Sequence, residues 1–247
     1  MARYQLTLAY DGSRFEGSQR QAKKKRTVQG ELERALRTLG WTGRSVLLAG
    51  RTDAGVHADG QSVVLDLDWA HSLDELRAAL NANLPPDLVV REVREVAVDF
   101  HPRFDATSRR YRYRLFCDPV RDPMRERFAW RVWPEVNSDL LNKAAAVFFG
   151  THDFAAFGSP PKPQSSTVRT VSLSAWTKHE GQWQFEVRAD AFLYRMVRRV
   201  VFVQVAVAQG RLSVEKVRQA IDEQVRLPAG LAPAHGLSLI EVTYADQ

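Results

Sequence analysis

The chain has 247 residues, of which 45% are hydrophobic and 26% charged, a composition that excludes a disordered, collagen-like or coiled-coil chain. A single cysteine, Cys117, excludes an intrachain disulfide, and the lack of any apolar run near the roughly 20 residues of a membrane span predicts a cytoplasmic protein without a membrane segment. The net charge of +6, from 35 basic and 29 acidic residues, favours a polyanionic partner.

The first half of the chain predicts the element order β-α-β-β-α-β. Period-2 alternation and 3.6-residue apolar stripes place a strand over 4–10, a helix over 28–39, strands over 45–49 and 61–67, a helix after residue 72 and a strand over 88–96. Ser72 and Glu75 form a capping box for the second helix, with Leu73, Leu76 and Leu80 facing inward. The segment 50–60 between the two short strands is too polar to be core.

The second half repeats this order. Its predicted elements are a strand around 110–115, a helix capped by Ser138, a hairpin of 167–178 and 183–189, a helix over 192–209, a helix from 213 and a strand over 237–244. We therefore predict an α+β protein of two tandem ferredoxin-like split-βαβ units, residues 1–104 and 105–247, with antiparallel sheets side by side and a basic cleft between them.

The polar segment 50–60 is the first candidate for chemistry. It places Arg51, Asp53, His57 and Asp59 among three glycines, and loops between strands of a rigid sheet often carry reacting groups. A carboxylate beside a guanidinium stays ionised, which suits a nucleophile or a base. A polar turn with a capping aspartate would have the same composition.

A metal site is an alternative for the same segment, because Asp53, His57 and Asp59 offer mixed nitrogen and oxygen ligands. Their spacing matches no zinc signature. A two-metal nuclease would need further acidic residues, whereas the other conspicuous clusters are basic. We therefore predict no metal.

Two basic segments, residues 20–26 and 108–114, supply candidate phosphate contacts. In the first, we predict that Lys23, Lys24, Lys25 and Arg26 bind RNA phosphates. In the second, arginines alternate with aromatic residues along a predicted strand. Solvated polar faces would also account for both segments.

The nine residues from Gly50 to Ala58 resemble the catalytic motif of the tRNA pseudouridine synthase A family. Further segments resemble that family in the expected order and cover nearly the whole chain: Tyr10–Ser13, Gly17 with Gln19–Gln21, Thr27–Gln29 with Glu31, Gly60–Gln61, Asn81–Pro85, Asp99–His101 with Arg103–Phe104, Arg109–Tyr113, Met196–Arg198 and Ala232–Ala234 with Gly236–Leu237. The two ferredoxin-like, RNA-recognition-like halves of that family agree with the predicted element order.

The resemblance implies a role for individual residues. It implies that Asp53 is the essential aspartate, that Arg198 pairs with it, and that Tyr111 stacks on the target base and helps to remove its C5 proton. Arg51 resembles the arginine that accompanies base flipping, and we expect His57 of the same motif to contact the substrate. The family commonly has Trp at the position of Ser18, and Asn and Gly where this chain has Arg199 and Phe202.

The implied activity is isomerisation of uridine to pseudouridine at positions 38 to 40 of the tRNA anticodon arm, by a homodimer. No net redox or group transfer occurs, so we expect no cofactor. The alternatives are a non-catalytic RNA-binding protein of two RNA-recognition-like units and a metal-dependent nuclease. The first of these should carry an aromatic RNA-binding motif on a strand, and the aromatic strand at Tyr111 alternates with arginines instead.

Overall fold

The computed structural model describes residues 1–21 and 25–245, which form a mixed α/β protein with five α-helices and ten strands in the described ranges. The chain divides into two compact units. The first comprises Met1–Thr107 with Ser238–Gln247, and the second comprises Ser108–Leu237. No helix in the described ranges is both long and apolar enough to cross a bilayer.

The first unit is a sheet covered by two helices. Its elements are β1 (Ala2–Tyr10), α1 (Val28–Thr38), β2 (Leu47–Leu48), β3 (His57–Leu67), α2 (Leu73–Asn83), β4 (Leu88–Val96) and β10 (Leu237–Tyr244). β1 lies between β3 and β4 and is antiparallel to both, and β2 is antiparallel to β3. Apart from β10, these are the elements that the hydrophobic pattern predicts for the first half, and β2 is shorter than the predicted strand over 45–49.

The helices of this unit begin where the sequence predicts. The Thr27 side chain accepts a hydrogen bond from the Gly30 amide and caps α1, whose Leu32 and Leu36 are fully buried. The predicted capping box of Ser72 and Glu75 is confirmed at α2. Leu76 and Leu80 of α2 are buried as predicted, whereas Leu73 is 37% exposed, because it is the first residue of the helix.

The last strand, β10, differs from its predicted place. The sequence assigned it to the second half, but Ser238 and Leu239 pair in parallel with His57 and Ala58 of β3, so β10 belongs to the first unit. A parallel partner more than 170 residues earlier in the chain leaves no local sequence signal.

The second unit is a sheet with three helices. Its elements are β5 (Ala106–Cys117), β6 (Trp130–Val132), α3 (Ser138–Ala146), β7 (Gly150–Asp153), β8 (Val168–His179), β9 (Gln182–Ala189), α4 (Met196–Ala208) and α5 (Val214–Asp222). β9 lies between β5 and β8, and all pairs are antiparallel except β5 with β6. β6 and β7, three and four residues long, were not predicted.

Local backbone conformation sets several boundaries in this unit. Glu180 and Gly181 both have positive φ, which gives the predicted hairpin of β8 and β9 a two-residue turn that matches the twist of its strands. α4 begins at Met196, later than predicted, because Arg195 has φ +61° and interrupts the helix. Asn137, not Ser138, caps α3 through its side-chain oxygen.

The two faces of β5 separate as the sequence predicts. Tyr111, Tyr113 and Leu115 are buried, and Tyr113 donates a hydrogen bond to the Pro233 carbonyl oxygen at 2.9 Å. Arg110 and Arg112 point to the other face, where both pair with Glu186 of β9. Strand β5 therefore gives this unit an apolar face and an arginine-rich face.

Candidate active site

The loop that carries Asp53 connects β2 to β3 and is shorter than predicted. β3 already begins at His57, so Asp59 and Gly60 are strand residues and not part of the loop. The pairing of β1 with β3 shifts register between Leu8, opposite Gln61, and Tyr10, opposite Ala58. This irregularity lies directly after the loop, in the position where β-bulges often border active sites.

Asp53 lies at a tight turn in this loop. Its carbonyl oxygen accepts a hydrogen bond from the Val56 amide at 3.1 Å, and Gly55 has φ +79°, a conformation that favours glycine. Asp53 is half-buried, whereas Arg51 is exposed. The turn therefore presents a carboxylate on a fixed backbone, with a guanidinium two residues earlier.

Thr52 anchors the loop immediately before Asp53. Its hydroxyl bonds to the Tyr10 hydroxyl at 2.8 Å, and burial raises the pKa of Tyr10 to about 12, so this phenol stays protonated at neutral pH. The Thr52 amide donates to Ser18 Oγ at 2.8 Å, and the Ser18 amide donates to the Thr52 carbonyl oxygen at 3.1 Å. All polar groups of Thr52 are thus fixed by the neighbouring segments.

Two glycines allow the segment 12–18 to approach the loop closely. A Cβ at Gly12 would lie 2.1 Å from the Val56 carbonyl oxygen. Gly17 has φ +101°, and a Cβ there would lie 3.0 Å from the Thr52 carbonyl oxygen. A larger residue at either position would require the loop of Asp53 to shift.

His57 holds the same segment and does not face solvent. Its side chain is 6% exposed, and its Nδ1 accepts a hydrogen bond from the Gly12 amide at 3.0 Å. Asp11 Oδ1 lies 3.2 Å from the same nitrogen. The buried ring therefore ties the end of β1 to the start of β3, and the expected contact of His57 with the substrate stays a prediction.

The basic segment 20–26 is partly structural. Arg26 forms a two-pronged ion pair with Asp87, both distances being 2.7 Å, and its guanidinium lies 4.3 Å from the Phe15 ring centroid. Arg20 pairs at 2.7 Å with Glu33, a carboxylate whose side chain is 1% exposed. These contacts give Arg26 a structural role, while its side chain is 34% exposed and its predicted phosphate contact stays a prediction.

The lysines of this segment differ from its arginines. Lys25 is exposed and lies 3.6 Å from Glu16. Lys23 and Lys24 lie outside the described residues. Their predicted contact with phosphate stays a prediction.

Two further predicted site residues lie in the second unit. Tyr111 of β5 is 9% exposed, and the Phe192 ring meets its ring edge-on, with centroids 5.0 Å apart. Arg198, in the first turn of α4, is half-buried and donates from Nε to the Ala232 carbonyl oxygen at 2.8 Å, while the Ala232 amide donates to the Arg198 carbonyl oxygen at 3.1 Å. The predicted base stacking of Tyr111 and pairing of Arg198 with Asp53 stay predictions.

The two departures from the family pattern in α4 form one structural group. The Arg199 guanidinium donates to the carbonyl oxygens of Leu227, Pro228 and Gly230 at 2.6 to 3.2 Å, and burial lowers its pKa. It lies 5.8 Å from the Phe202 ring centroid, and that ring occupies the space that a Cβ at Gly230 would need. Arg199 and Phe202 together hold the segment 227–230 against α4.

The metal alternative receives no geometric support in the part of the chain that the structure describes. There, no three His, Cys, Asp or Glu side chains come together in an arrangement that could hold an ion. Asp59, one of the three candidate ligands, lies 3.6 Å from the Arg91 guanidinium. His57, another, is bonded to Gly12.

The sequence does not predict the contacts that hold the loop. Tyr10 and Ser18 each bond to Thr52, across 42 and 34 residues of chain, and Asp87 meets Arg26 across 61. Tyr10 and Thr52 lie in segments that resemble the family, and Ser18 stands where that family commonly has a large aromatic residue. A small polar residue in that place marks close packing.

Known proteins of one family resemble this chain over most of its length. Residues 7–105 and 144–245 match the family described as tRNA pseudouridine synthase. Three curated proteins named tRNA pseudouridine synthase A are similar along almost their full length. The protein of Chloroflexus aurantiacus is 41% identical over 247 residues, covering 97% of this chain and 87% of its own.

The other two come from two further organisms. The Methylacidiphilum infernorum protein is 42% identical over 243 residues, covering 98% of this chain and 95% of its own. The Neisseria meningitidis protein is 39% identical over 248 residues, covering 99% of this chain and 92% of its own. Both the family match and these identities include the loop of Asp53 and the first turn of α4, so the chain belongs to the tRNA pseudouridine synthase family.

Proposed function

We propose that this chain converts uridine to pseudouridine at positions 38 to 40 of the tRNA anticodon arm, with Asp53 as the catalytic carboxylate. The observation that carries the proposal is the fixed loop of Asp53, which holds a half-buried carboxylate between the exposed Arg51 and the buried strand β3. Family membership supplies the reaction class.

The bonds that change in the reaction explain why a carboxylate can catalyse it without a cofactor. The N1–C1′ bond breaks, the base rotates and C5 bonds to C1′, while the C5 proton is lost and N1 gains one. Asp53 would attack C1′ or C6, or remove the C2′ proton, and each route needs an ionised carboxylate. Electrons and atoms balance within the nucleotide, so no redox cofactor or co-substrate takes part.

The other site residues act on the base. The target uridine must leave its stack, which costs a few kcal/mol, and an aromatic face together with a replacing cation lowers that cost. We assign the aromatic face to Tyr111 and the cation to Arg51, and we propose that Arg198 pairs with Asp53. His57 and Arg26 act through the fold, by holding the loops.

The architecture suits RNA binding. We propose that both units are ferredoxin-like, since the first has the strand order β4-β1-β3-β2 with antiparallel neighbours throughout, and the second has β5, β9 and β8 in the matching order. The arginine-rich face of β5 and β9 carries Arg110, Arg112, Arg114 and Arg188 against one carboxylate, Glu186. Such a face favours phosphates. We also propose a cytoplasmic homodimer.

The decisive experiment is incubation of the protein with unmodified tRNA, followed by position-resolved pseudouridine mapping with a chelator present. We expect modification within positions 38 to 40. Binding without modification would favour the non-catalytic RNA-binding alternative. Cleavage that the chelator abolishes would favour the metal-dependent nuclease.

Replacement of the lysines and replacement of Arg26 should have different effects on the salt dependence of tRNA affinity. Replacing Lys23, Lys24 and Lys25 together by alanine should flatten the dependence of log affinity on log salt by about 0.7 to 0.9 for each phosphate that these lysines neutralise. Arg26→Ala should instead lower thermal stability and leave the slope unchanged, because its guanidinium is bound to Asp87. An unchanged slope in the triple variant would reduce this segment to a solvated turn.

Variants of Tyr111 should distinguish the role of its ring from the role of its hydroxyl. Tyr111→Phe retains the buried ring and its edge contact with Phe192, so folding and tRNA binding should match the wild type. If the hydroxyl assists removal of the C5 proton, as we propose, single-turnover rates should fall about 100-fold. Tyr111→Ala is less informative, because it also removes a core side chain, a change that typically costs about 3 to 5 kcal/mol for a buried aromatic residue. Wild-type rates in Tyr111→Phe would contradict the proton role.

A further inference from the structure

We infer that Ser18 is a positioning residue for Asp53, an inference that rests on the proposed function. Ser18 is fully buried and lies at the crossing of three segments. Its carbonyl oxygen accepts a hydrogen bond from the Gln29 amide at 2.9 Å, which attaches it to the first turn of α1. Its amide and its hydroxyl both bind Thr52.

This pair of bonds fixes the peptide groups on both sides of the Thr52 Cα. The Thr52 amide is held by Ser18 Oγ at 2.8 Å and the Thr52 carbonyl by the Ser18 amide at 3.1 Å. That carbonyl belongs to the peptide bond that leads into Asp53. Because the Tyr10 hydroxyl holds the Thr52 side chain as well, the backbone enters Asp53 in one defined direction.

The hydroxyl of Ser18 departs from the pattern that the resembling family commonly has at this position. A backbone bond between residues 18 and 52 needs no particular side chain, but the Thr52 amide needs an acceptor. The Trp that the family commonly has at this position offers an indole donor and no acceptor, so it could not replace Ser18 Oγ.

Positioning of this kind acts on the chemical step. An attacking group displaced by about 1 Å can lose on the order of 100-fold in rate. Ser18 lies behind the loop and is fully buried, so it has no surface with which to bind RNA. Its replacement should therefore reduce kcat and leave KM and tRNA affinity unchanged.

The test compares Ser18→Ala with Ser62→Ala. Ser62 is also a buried serine, and its Oγ accepts from Gln5 Nε2 at 2.9 Å, so each variant removes one buried hydrogen bond. The Ser62 side chain does not bond to the loop of Asp53. We expect similar losses of thermal stability in both, a 10- to 100-fold lower kcat only in Ser18→Ala, and recovery of kcat in Ser18→Thr.

The kcat of Asp53→Asn is measured in the same experiment, because it distinguishes failure of the inference about Ser18 from failure of the proposed function. If Asp53→Asn is inactive but Ser18→Ala and Ser62→Ala have equal kcat, the inference about Ser18 is wrong and the proposed function stands. If Asp53→Asn is fully active, the proposed site itself fails. Should Ser18→Ala not fold, Ser18→Cys keeps the volume with a much weaker acceptor, and wild-type kcat in that variant would also overturn the inference.

Discussion

Asp53→Asn should abolish pseudouridine formation while tRNA binding persists or tightens slightly. The amide matches the carboxylate in shape but has neither its charge nor its basicity, so every route open to Asp53 is lost. The fold should be unaffected, because the turn bond to the Val56 amide uses the Asp53 backbone. Removal of one negative charge near RNA phosphates accounts for the tighter binding.

The measurement is position-resolved pseudouridine formation under single-turnover conditions, together with tRNA affinity. Asp59→Asn is the matched control, because Asp59 is only six residues away and lies 3.6 Å from Arg91. It should retain most of the activity. Turnover by Asp53→Asn above about 1% of the wild-type rate, with deamidation excluded by mass spectrometry, would overturn the catalytic assignment.

The sequence predicts the regular elements of this protein because they rest on local patterns. β4 lies over Leu88–Val96 as predicted, and the capping box at Ser72 fixes the start of α2. The features that the sequence does not predict depend on partners far away in the chain or on single backbone angles. β10 was assigned by order alone to the second half, and the start of α4 is set by the positive φ of Arg195.

The candidate site also has some features that the sequence predicts and others that it does not. The motif around Asp53 can be read directly from the sequence, since its residue types and spacing resemble a family. The roles of charged residues cannot be read so easily. Arg26 and His57 look like substrate contacts in the printed sequence, yet Asp87 and Gly12, which come from other segments, engage them in the structure.

Part of the positive charge of the chain is used within the fold. A net charge of +6 favours a polyanionic partner, but several arginines are already committed to buried or half-buried acids, Arg20 to Glu33 and Arg26 to Asp87 among them. The number of basic residues in segment 20–26 is therefore not by itself a count of phosphate contacts. The salt dependence of tRNA binding is the quantity that counts those contacts.

Arg198→Ala should lower kcat by roughly 1000-fold, in the range expected when a single group that stabilises the reacting centre is removed. We propose that its guanidinium holds the Asp53 carboxylate in the orientation that the reaction needs. Arg198→Lys should recover only part of the loss, because an ammonium cannot reproduce the two-pronged geometry of a guanidinium. Binding of tRNA should change little in either variant.

Arg199→Ala separates this role from a merely structural one. Arg198 and Arg199 both donate to backbone carbonyl oxygens of the segment 227–232, Arg198 to Ala232 and Arg199 to Leu227, Pro228 and Gly230. If Arg198 only held that segment, Arg198→Ala and Arg199→Ala should lower stability and activity alike. We expect their activities to differ: Arg199→Ala should unfold at a lower temperature and keep a kcat within about tenfold of the wild type. Equal losses of kcat in the two alanine variants would assign Arg198 to the fold, and Asp53 would need another partner.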